Sequence, residues 1–214
     1  MINHVFEVFR LKKNKLLRNL FSNFRKKKLK NLNFTIISNN CWGGTIYESY
    51  NLPKQTPTVG LFFEADDYIK FISNLKLYLN KKIKFIEYDK STRYKKGINE
   101  KCIVGKLNDI EIYFLHYSSE KEVLDKWYRR IKRINYDKIL YKFNDQNGCT
   151  QKNVEDFFNL PLKNKIFFTV NEYFIDNDRV VKFKKIPGEK TIMTSQEPFG
   201  KSKYINITEL INDL

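Results

Sequence analysis

The chain has few of the residues that cross-link a protein or make it flexible. Its three cysteines, Cys41, Cys102 and Cys149, are an odd number, lie far apart and form no Cys-x-x-Cys pair. We therefore expect neither a disulfide framework nor a metal site, and a reducing compartment such as the cytosol. Eight glycines and five prolines among 214 residues leave little material for long linkers. The length then indicates one sizeable domain, with or without an extension.

Long apolar runs and several common motifs are also missing. No apolar stretch approaches the ~20 residues that span a bilayer, and the N-terminus lacks the pattern of a signal peptide. We expect a cytoplasmic protein, free or peripheral at the inner face of the cell membrane. The P-loop, G-x-G-x-x-G, H-E-x-x-H and G-x-S-x-G motifs are absent. Their absence argues against the common nucleotide-binding, zinc-protease and serine-hydrolase classes, and no cofactor is expected.

Acidic residues are missing from one stretch near the N-terminus. Between Arg10 and Lys30 the sequence has ten basic residues and no Asp or Glu, within a chain of formal net charge +16. Apolar residues recur there at helical spacing, which predicts one or two helices over residues 3–30 with a basic opposite face. These residues are Phe6, Phe9, Leu16, Leu17, Leu20, Phe21 and Phe24.

Such a basic amphipathic helix is typical of proteins that lie on an anionic membrane surface, so residues 1–30 predict that partner. The alternative is a helix that packs on the domain and keeps its charged face in water. A nucleic-acid partner is not expected, because no zinc-finger, RNP or helix-turn-helix pattern accompanies the charge. His4, one of two histidines, lies in this stretch and is interpreted as incidental.

From Phe34 onward, apolar segments of strand length alternate with amphipathic segments of helix length. The predicted strands are 34–38, 58–63, 83–88, 102–107, 110–117, 138–143, 165–170 and 179–184. The predicted helices are 45–50, 65–80, 119–134 and 151–159. Asn108 and Asp109 predict a hairpin turn, and Thr150 predicts a helix N-cap. The alternation predicts a layered α/β/α domain over residues 33–214, with a mostly parallel sheet and one antiparallel hairpin, after a basic helical extension over residues 1–32.

Cys41 lies where the first predicted strand passes into a helix, in the sequence Ser-Asn-Asn-Cys-Trp-Gly-Gly-Thr. The positive end of a helix lowers the pKa of a nearby thiol, which favours a nucleophilic thiolate. The backbone N–H groups of Trp42, Gly43 and Gly44 would then stabilise an oxyanion. The alternative is a cysteine that only packs, followed by glycines that only make a turn.

Polar residues follow several of the predicted strands, and ligands of parallel sheets bind beyond the carboxyl ends of the strands. Candidates to bind substrate are Asn39, Asn40, Asn147, Gly148 and Cys149. Cys41 and His116 are the predicted nucleophile and base, with Asp145 to orient the imidazole. The alternatives are a histidine that hydrogen-bonds locally and a simple turn with an N-cap at residues 145–150.

The predicted helix 119–134 is rich in arginine. Arg129 and Arg133 are i, i+4 neighbours, and with Arg130 they could bind a phosphate or a carboxylate. The alternative is a solvated face, since most exposed charges contribute little.

Residues 33–44, Asn-Phe-Thr-Ile-Ile-Ser-Asn-Asn-Cys-Trp-Gly-Gly, resemble the opening signature of a bacterial exopolysaccharide or capsular polysaccharide biosynthesis family that is carried as a domain of unknown function. Further matching segments follow in order at residues 57–63, 67–70, 114–117, 126–130, 133–137, 147–150 and 160–161. The resemblance covers roughly residues 33–170. It implies a role in making or decorating surface polysaccharide, without naming a reaction.

Pattern and resemblance together predict a transferase that modifies a glycan, acting on a glycan or lipid-linked saccharide by acyl transfer through Cys41. A sugar-nucleotide or phosphosugar transferase, with the arginines at the phosphate, is the first alternative. A non-enzymatic, membrane-associated scaffold of polysaccharide synthesis is the second.

Overall fold

The computed structural model describes residues 2–98, 102–173 and 175–214, with side chains from Val5 onward. The expectation for His4 therefore lies outside the described side chains. Within these ranges, seven strands form two sheets. In chain order the strands are β1 (Thr35–Ser38), β2 (Lys84–Ile86), β3 (Ile103–Leu107), β4 (Ile110–Phe114), β5 (Ile139–Asn144), β6 (Asn164–Thr169) and β7 (Val180–Lys182).

Helices surround the sheets. In chain order they are α1 (Ile2–Leu20), α2 (Ser22–Lys26), α3 (Trp42–Ser49), α4 (Ala65–Ser73), α5 (Leu75–Leu79), α6 (Thr92–Lys95), α7 (Glu120–Ile131), α8 (Gln151–Asn159) and α9 (Ile207–Asn212). In the described part of the chain, two 3-10 helices span Tyr88–Lys90 and Thr194–Gln196.

The larger sheet has the strand order β1-β5-β6-β7, and each neighbouring pair is parallel. Successive side chains of a strand point to opposite faces. Ile36 and Leu140 accordingly pack with α3 and α9, whereas Ile37 and Tyr141 pack with α4, α7 and α8. The sheet is therefore the middle of three layers, and the predicted α/β class is confirmed.

The smaller sheet is antiparallel, in the order β2-β3-β4. The predicted hairpin is confirmed: Asn108 lies in the β3–β4 turn with φ 56°, a left-handed conformation that asparagine tolerates. The two sheets are joined by residues 58–63, which we call the connecting segment. In it, Phe62 bridges Tyr113 of β4, and the backbone N–H of Phe63 donates to the carbonyl of Asn39 at 3.0 Å.

The predicted strand 58–63 is wrong. Only Phe62 makes a strand-like bridge, and Gly60 has φ +70°, which interrupts an extended chain. A β-carbon on Gly60 would lie 3.3 Å from that of His116. Glycine at this position therefore allows the segment to turn and to pass close to the residues that follow β4.

Two predicted helices have different limits from those expected. The helix predicted over residues 65–80 divides into α4 and α5, because Asn74 leaves the helical region at φ −136° and ψ 48°. The helix predicted over residues 45–50 begins earlier, at Trp42. The predicted N-cap Thr150 is confirmed, because its side chain accepts from the backbone N–H of Asn153.

The N-terminal helix α1 is docked on the domain by polar contacts. Asn14 donates to the carbonyl of Ser195 at 2.9 Å, and Glu7 accepts from the backbone N–H of Ser195 at 2.9 Å. Beyond α1, Arg25 donates through Nε to the carbonyl of Ser49 at 2.9 Å. The described helices include none with the length and apolar character needed to cross a membrane.

Candidate functional site

The turns after β1 and β5 lie side by side, because these strands are parallel neighbours. Asn39 donates to Asn144 Oδ1 at 2.7 Å. Asn40 donates to Gln146 Oε1 at 3.1 Å. Both Asn39 and Asn40 are buried, so these amides fix the edge of the sheet beside Cys41.

A buried ion pair lies beneath these amides. Lys142, in the middle of β5, contacts the carboxylate of Glu197, and the two side chains are 0% and 2% exposed. Lys142 Nζ also donates to Asn40 Oδ1 at 3.0 Å, and Asn144 donates to Glu197 Oε1 at 2.9 Å. Burial lowers the pKa of Lys142, while the carboxylate of Glu197 opposes that shift. Through Asn40, the pair joins the turn that contains Cys41 to residues 183–214, which follow β7 and which we call the C-terminal segment.

Cys41 immediately precedes α3 and is partly exposed. Its thiol lies 3.5 Å from the carbonyl oxygen of Leu61, to which it donates. Burial raises the pKa of Cys41 to about 11, and the carboxylate of Glu197 adds to the rise. The backbone N–H groups of Gly60 and Leu61 and the charge of Lys142 oppose it. The expected lowering of the thiol pKa is therefore wrong, because desolvation outweighs the groups that would lower it.

Two of the three amides expected to stabilise an oxyanion are already paired. The backbone N–H of Trp42 donates to Asn40 Oδ1 at 3.1 Å, and that of Gly43 donates to Ser38 Oγ at 3.1 Å. A β-carbon on Gly44 would lie 2.9 Å from Val59 Cγ1. The oxyanion role predicted for Trp42 and Gly43 is thus wrong, and Gly44 serves the close approach of α3 to the connecting segment.

Cys41 and His116 line two cavities. The first, which we call the basic cavity, has a volume of about 590 Å³. The second, which we call the amide cavity, has a volume of about 420 Å³. Cys41 and His116 are the two residues that the linings share. The structure therefore brings the predicted nucleophile and base to one junction, although His116 follows a strand of the antiparallel sheet.

Among the described residues, five cationic side chains and one carboxylate, that of Glu48, line the basic cavity. The cationic side chains are those of Lys15 and Arg18 of α1, Lys54, and Lys126 and Arg130 of α7. Lys54 contacts Glu48 at 2.7 Å, and Arg130 donates to the hydroxyl of Tyr117 at 2.7 Å. The excess of positive charge in a concave site favours an anionic ligand.

The amide cavity has a different lining. It is formed by Asn40, Gln146, Asn147, Thr191 and Thr194, with Leu11, Phe62, Arg93 and Leu115. Amides and hydroxyls both donate and accept hydrogen bonds. This cavity is therefore suited to a neutral ligand with many hydroxyl groups.

Of the three predicted phosphate-binding arginines, only Arg130 lines the basic cavity. Arg129 is exposed, and Arg133 is exposed with a contact of 3.5 Å to the carbonyl of Lys54. Arg130 is 7% exposed and points toward Tyr117. Arg129 on α7 and Arg133, just beyond the end of α7, thus both face solvent, whereas Arg130 between them turns inward.

Asp145 is 2% exposed and has four hydrogen-bond donors. They are the backbone N–H groups of Val170 and Ile192, the hydroxyl of Thr169 and the amide of Asn171, at 2.8 to 3.0 Å. Asp145 is not among the residues that line either cavity. These bonds tie the end of β6 to the C-terminal segment, which is a structural use of the carboxylate.

The other predicted site residues between 145 and 150 have two roles: some line a cavity and some form a turn. Asn147 lines the amide cavity, and Asn147 and Gly148 both have positive φ, at 55° and 77°. Cys149 packs against the core, and burial raises its pKa to about 12. No group of three His, Cys, Asp or Glu side chains that could hold a metal ion exists among the described residues.

Apart from Leu11, the residues named above as lining the two cavities lie within the match to a known protein family. The family described as "Domain of unknown function (DUF1919)" matches residues 12–213. The chain belongs to the DUF1919 family. A protein of Haemophilus influenzae, described as uncharacterized, is 34% identical over 160 residues, which cover 75% of this chain and 73% of that protein. Neither description names an activity.

The DUF1919 match extends beyond the 33–170 span of the predicted resemblance at both ends. It includes Lys15 and Arg18 of the basic cavity, and Glu197 of the buried pair. These three residues and Lys142 are not among the site residues predicted from the sequence. The one available signal was a lysine inside the apolar strand Ile-Leu-Tyr-Lys-Phe-Asn. The others become part of the site only when α1 and the C-terminal segment fold onto the sheet.

Proposed function

We propose that this DUF1919 protein is a transferase of surface-polysaccharide synthesis that moves a sugar from a phosphorylated donor to a saccharide acceptor. The donor phosphate binds in the basic cavity, and the acceptor binds in the amide cavity. The observation that supports this proposal is the meeting of two cavities of different chemistry at Cys41 and His116. The link to exopolysaccharide or capsule rests on the resemblance of residues 33–44.

The basic cavity suits a phosphate or diphosphate. Its volume of about 590 Å³ lies within the range of roughly 300–1,000 Å³ for small-molecule sites. The guanidinium of Arg130 is held by Tyr117, which leaves other N–H groups for a second partner. Arginine forks and lysine ammonium groups are the usual ligands of phosphate.

The proposed step joins the two cavities. A hydroxyl of the acceptor attacks the sugar carbon that bears the phosphate, and His116 takes the hydroxyl proton. The new C–O bond forms as the bond from carbon to the phosphate oxygen breaks. The departing phosphate keeps the electron pair, and Arg130 and Lys126 stabilise its charge. In this reaction Cys41 stays a thiol and only lines the site where the two cavities meet.

Acyl transfer through Cys41 is the second candidate. Cys41 and His116 line both cavities, which places a thiol and an imidazole at one junction. In that reaction the sulfur attacks an acyl carbonyl and His116 takes the thiol proton. The raised pKa of Cys41 favours the first candidate, in which no thiolate is needed.

The test is binding of sugar nucleotides and hexose phosphates, measured by calorimetry. We expect saturable binding that Arg130→Gln weakens by about tenfold or more, since a hydrogen bond to a charged group contributes about 1.5–3 kcal/mol. Arg129→Gln is the matched control, because Arg129 is exposed on the same helix. Lys15→Gln, at an exposed position of the cavity wall, repeats the test without disturbing Tyr117.

Equal binding by the Arg129 and Arg130 variants would contradict the proposal, and so would the absence of binding to any phosphorylated sugar. Cys41→Ala tests the second candidate. If this variant transfers the group to the saccharide acceptor as fast as the wild type does, acyl transfer through Cys41 is excluded. Loss of transfer in Cys41→Ala with unchanged phosphate binding would favour the second candidate over the first.

A further inference from the structure

The apolar side of α1 faces away from the domain. Val5, Phe9, Leu16 and Leu20 are 65%, 66%, 67% and 68% exposed. Their spacings of four, seven and four residues place them on one face of the helix. A helix packed on a globular core ordinarily buries such a stripe. We call these four residues the outer stripe.

The opposite face of α1 faces the domain through polar side chains. Glu7 and Asn14 contact Ser195, and the guanidinium of Arg18 lies 6.0 Å from the centre of the Phe199 ring. Leu11, on the same face, lines the amide cavity. These contacts set the rotation of α1, so the exposure of the outer stripe is a consequence of how the helix is docked.

The charges beside the outer stripe select its occupant. Lys12 and Lys13 are exposed between the two halves of the stripe. The segment from Arg10 to Lys30 has ten basic residues and no acidic one. A second copy of this chain would bring the same positive charge to the interface. An anionic lipid surface instead receives the apolar side chains in its interface and pairs its headgroups with the lysines.

We infer that α1 lies in the plane of an anionic membrane surface, with the outer stripe inserted among the lipids. The outer stripe alone supplies the apolar side chains of this contact. Lys15 and Arg18 of α1 also line the basic cavity, so docking sets that cavity beside the headgroups. On the proposed function, the donor or acceptor is then a saccharide joined to a membrane lipid through phosphate.

The experiment is sedimentation of the full chain with vesicles of phosphatidylcholine, with and without phosphatidylglycerol. We expect binding only to the vesicles with phosphatidylglycerol, and weaker binding at high salt. Phe9→Ala/Leu16→Ala should lower the partition coefficient by at least about tenfold, because each side chain removes apolar area from water. Alanine keeps the helix propensity of α1.

Leu77→Ala is the matched control, because Leu77 is 51% exposed on α5 and far from α1 in sequence. It should bind vesicles as the wild type does. Thermal unfolding of each variant checks that the fold is intact. Equal binding by the double variant and the wild type would overturn the inference. So would wild-type dimers that the double variant does not form, which would assign the stripe to a contact between copies.

The membrane inference and the proposed function are tested by independent measurements, so either can be contradicted without the other. Binding of a water-soluble sugar phosphate is measured without vesicles and depends on Arg130. Vesicle binding without sugar-phosphate binding would retain the membrane site and remove the phosphosugar transferase. Sugar-phosphate binding without vesicle binding would do the reverse.

Discussion

Lys142 and Glu197 form an ion pair inside the protein, between the middle of β5 and a segment more than fifty residues later. Their side chains are 0% and 2% exposed. Asn40 donates to both carboxylate oxygens of Glu197 at 3.1 Å, and the ammonium group of Lys142 lies 5.5 Å from the centre of the Phe168 ring. Charges taken out of water need such partners, because desolvation costs several kcal/mol for each ion. The pair therefore fixes the turn that contains Cys41.

Glu197→Gln should destabilise the protein strongly. Removing one partner of a buried pair leaves the other charge without compensation and costs about 3–5 kcal/mol. Urea unfolding at neutral pH measures the change. Glu172→Gln is the matched control, because the Lys182–Glu172 pair has side chains 50% and 81% exposed and should contribute less than about 1 kcal/mol.

The double variant Lys142→Met/Glu197→Leu separates charge from packing. It should be more stable than Glu197→Gln, because it leaves no unpaired charge inside the protein. Equal, small losses in the Glu197 and Glu172 variants would contradict the assignment of a buried pair.

The thiol of Cys41 should react slowly at neutral pH. Its pKa is raised to about 11 by burial and by the carboxylate of Glu197, against about 8.5 for an ordinary cysteine. In a chain with Cys102→Ser and Cys149→Ser, the rate of alkylation should still rise with pH above 9, without a plateau. A plateau near or below the pKa of an ordinary cysteine would instead indicate a stabilised thiolate. Acyl transfer would then become the leading mechanism.

Asp67 should make the protein less stable as the pH rises from about 4 to about 6. Burial raises the pKa of Asp67 to about 6. The hydrogen bond from the backbone N–H of Glu111 opposes this rise, and repulsion from Glu111 and Glu64 adds to it. The folded chain thus keeps a proton at pH values where the unfolded chain, with a carboxyl pKa of about 3.9, has lost it. The free energy of unfolding falls across this window as that proton is released.

Asp67→Asn tests this dependence. The amide oxygen can still accept the hydrogen bond from the backbone N–H of Glu111, which lies 3.1 Å from Asp67 Oδ2. The variant should be more stable than the wild type at pH 7, and its unfolding free energy should depend less on pH between about 4 and 6. Denaturant unfolding across this range measures both. If the unfolding free energy of the variant depended on pH as strongly as that of the wild type, the pKa of Asp67 would not be raised in the folded protein.

The layered fold follows from local pattern. Apolar runs such as residues 34–38 and 138–143 predict strands that the structure contains, because each is buried on both faces. The position of Asn39 to Cys41 beside residues 144–147 then follows from the rule for parallel sheets. Segment 58–63 has the same composition as a strand, and the conformation of Gly60 prevents it from forming one.

Fewer of the residues of the candidate site could be predicted from the sequence. Cys41 and Arg130 were predicted from local chemistry, whereas Lys15, Arg18 and Lys54 enter the basic cavity only through tertiary packing. The pKa of Cys41 shows the same limit, because desolvation depends on what covers a residue rather than on its neighbours in sequence. The local sequence pattern therefore predicts residues where the two cavities meet, whereas the positive charge around them is visible only in the folded chain.

Helix α1 forms part of both cavity walls, through Leu11 in one and Lys15 and Arg18 in the other. Anything that tilts or holds this helix must change the shape of both cavities, and a ligand pressed against Lys15 must in turn bias the tilt. Attachment and ligand binding would then share a coupling free energy, which by linkage acts equally in both directions. Deleting the helix would therefore remove part of the wall of each cavity together with the outer stripe.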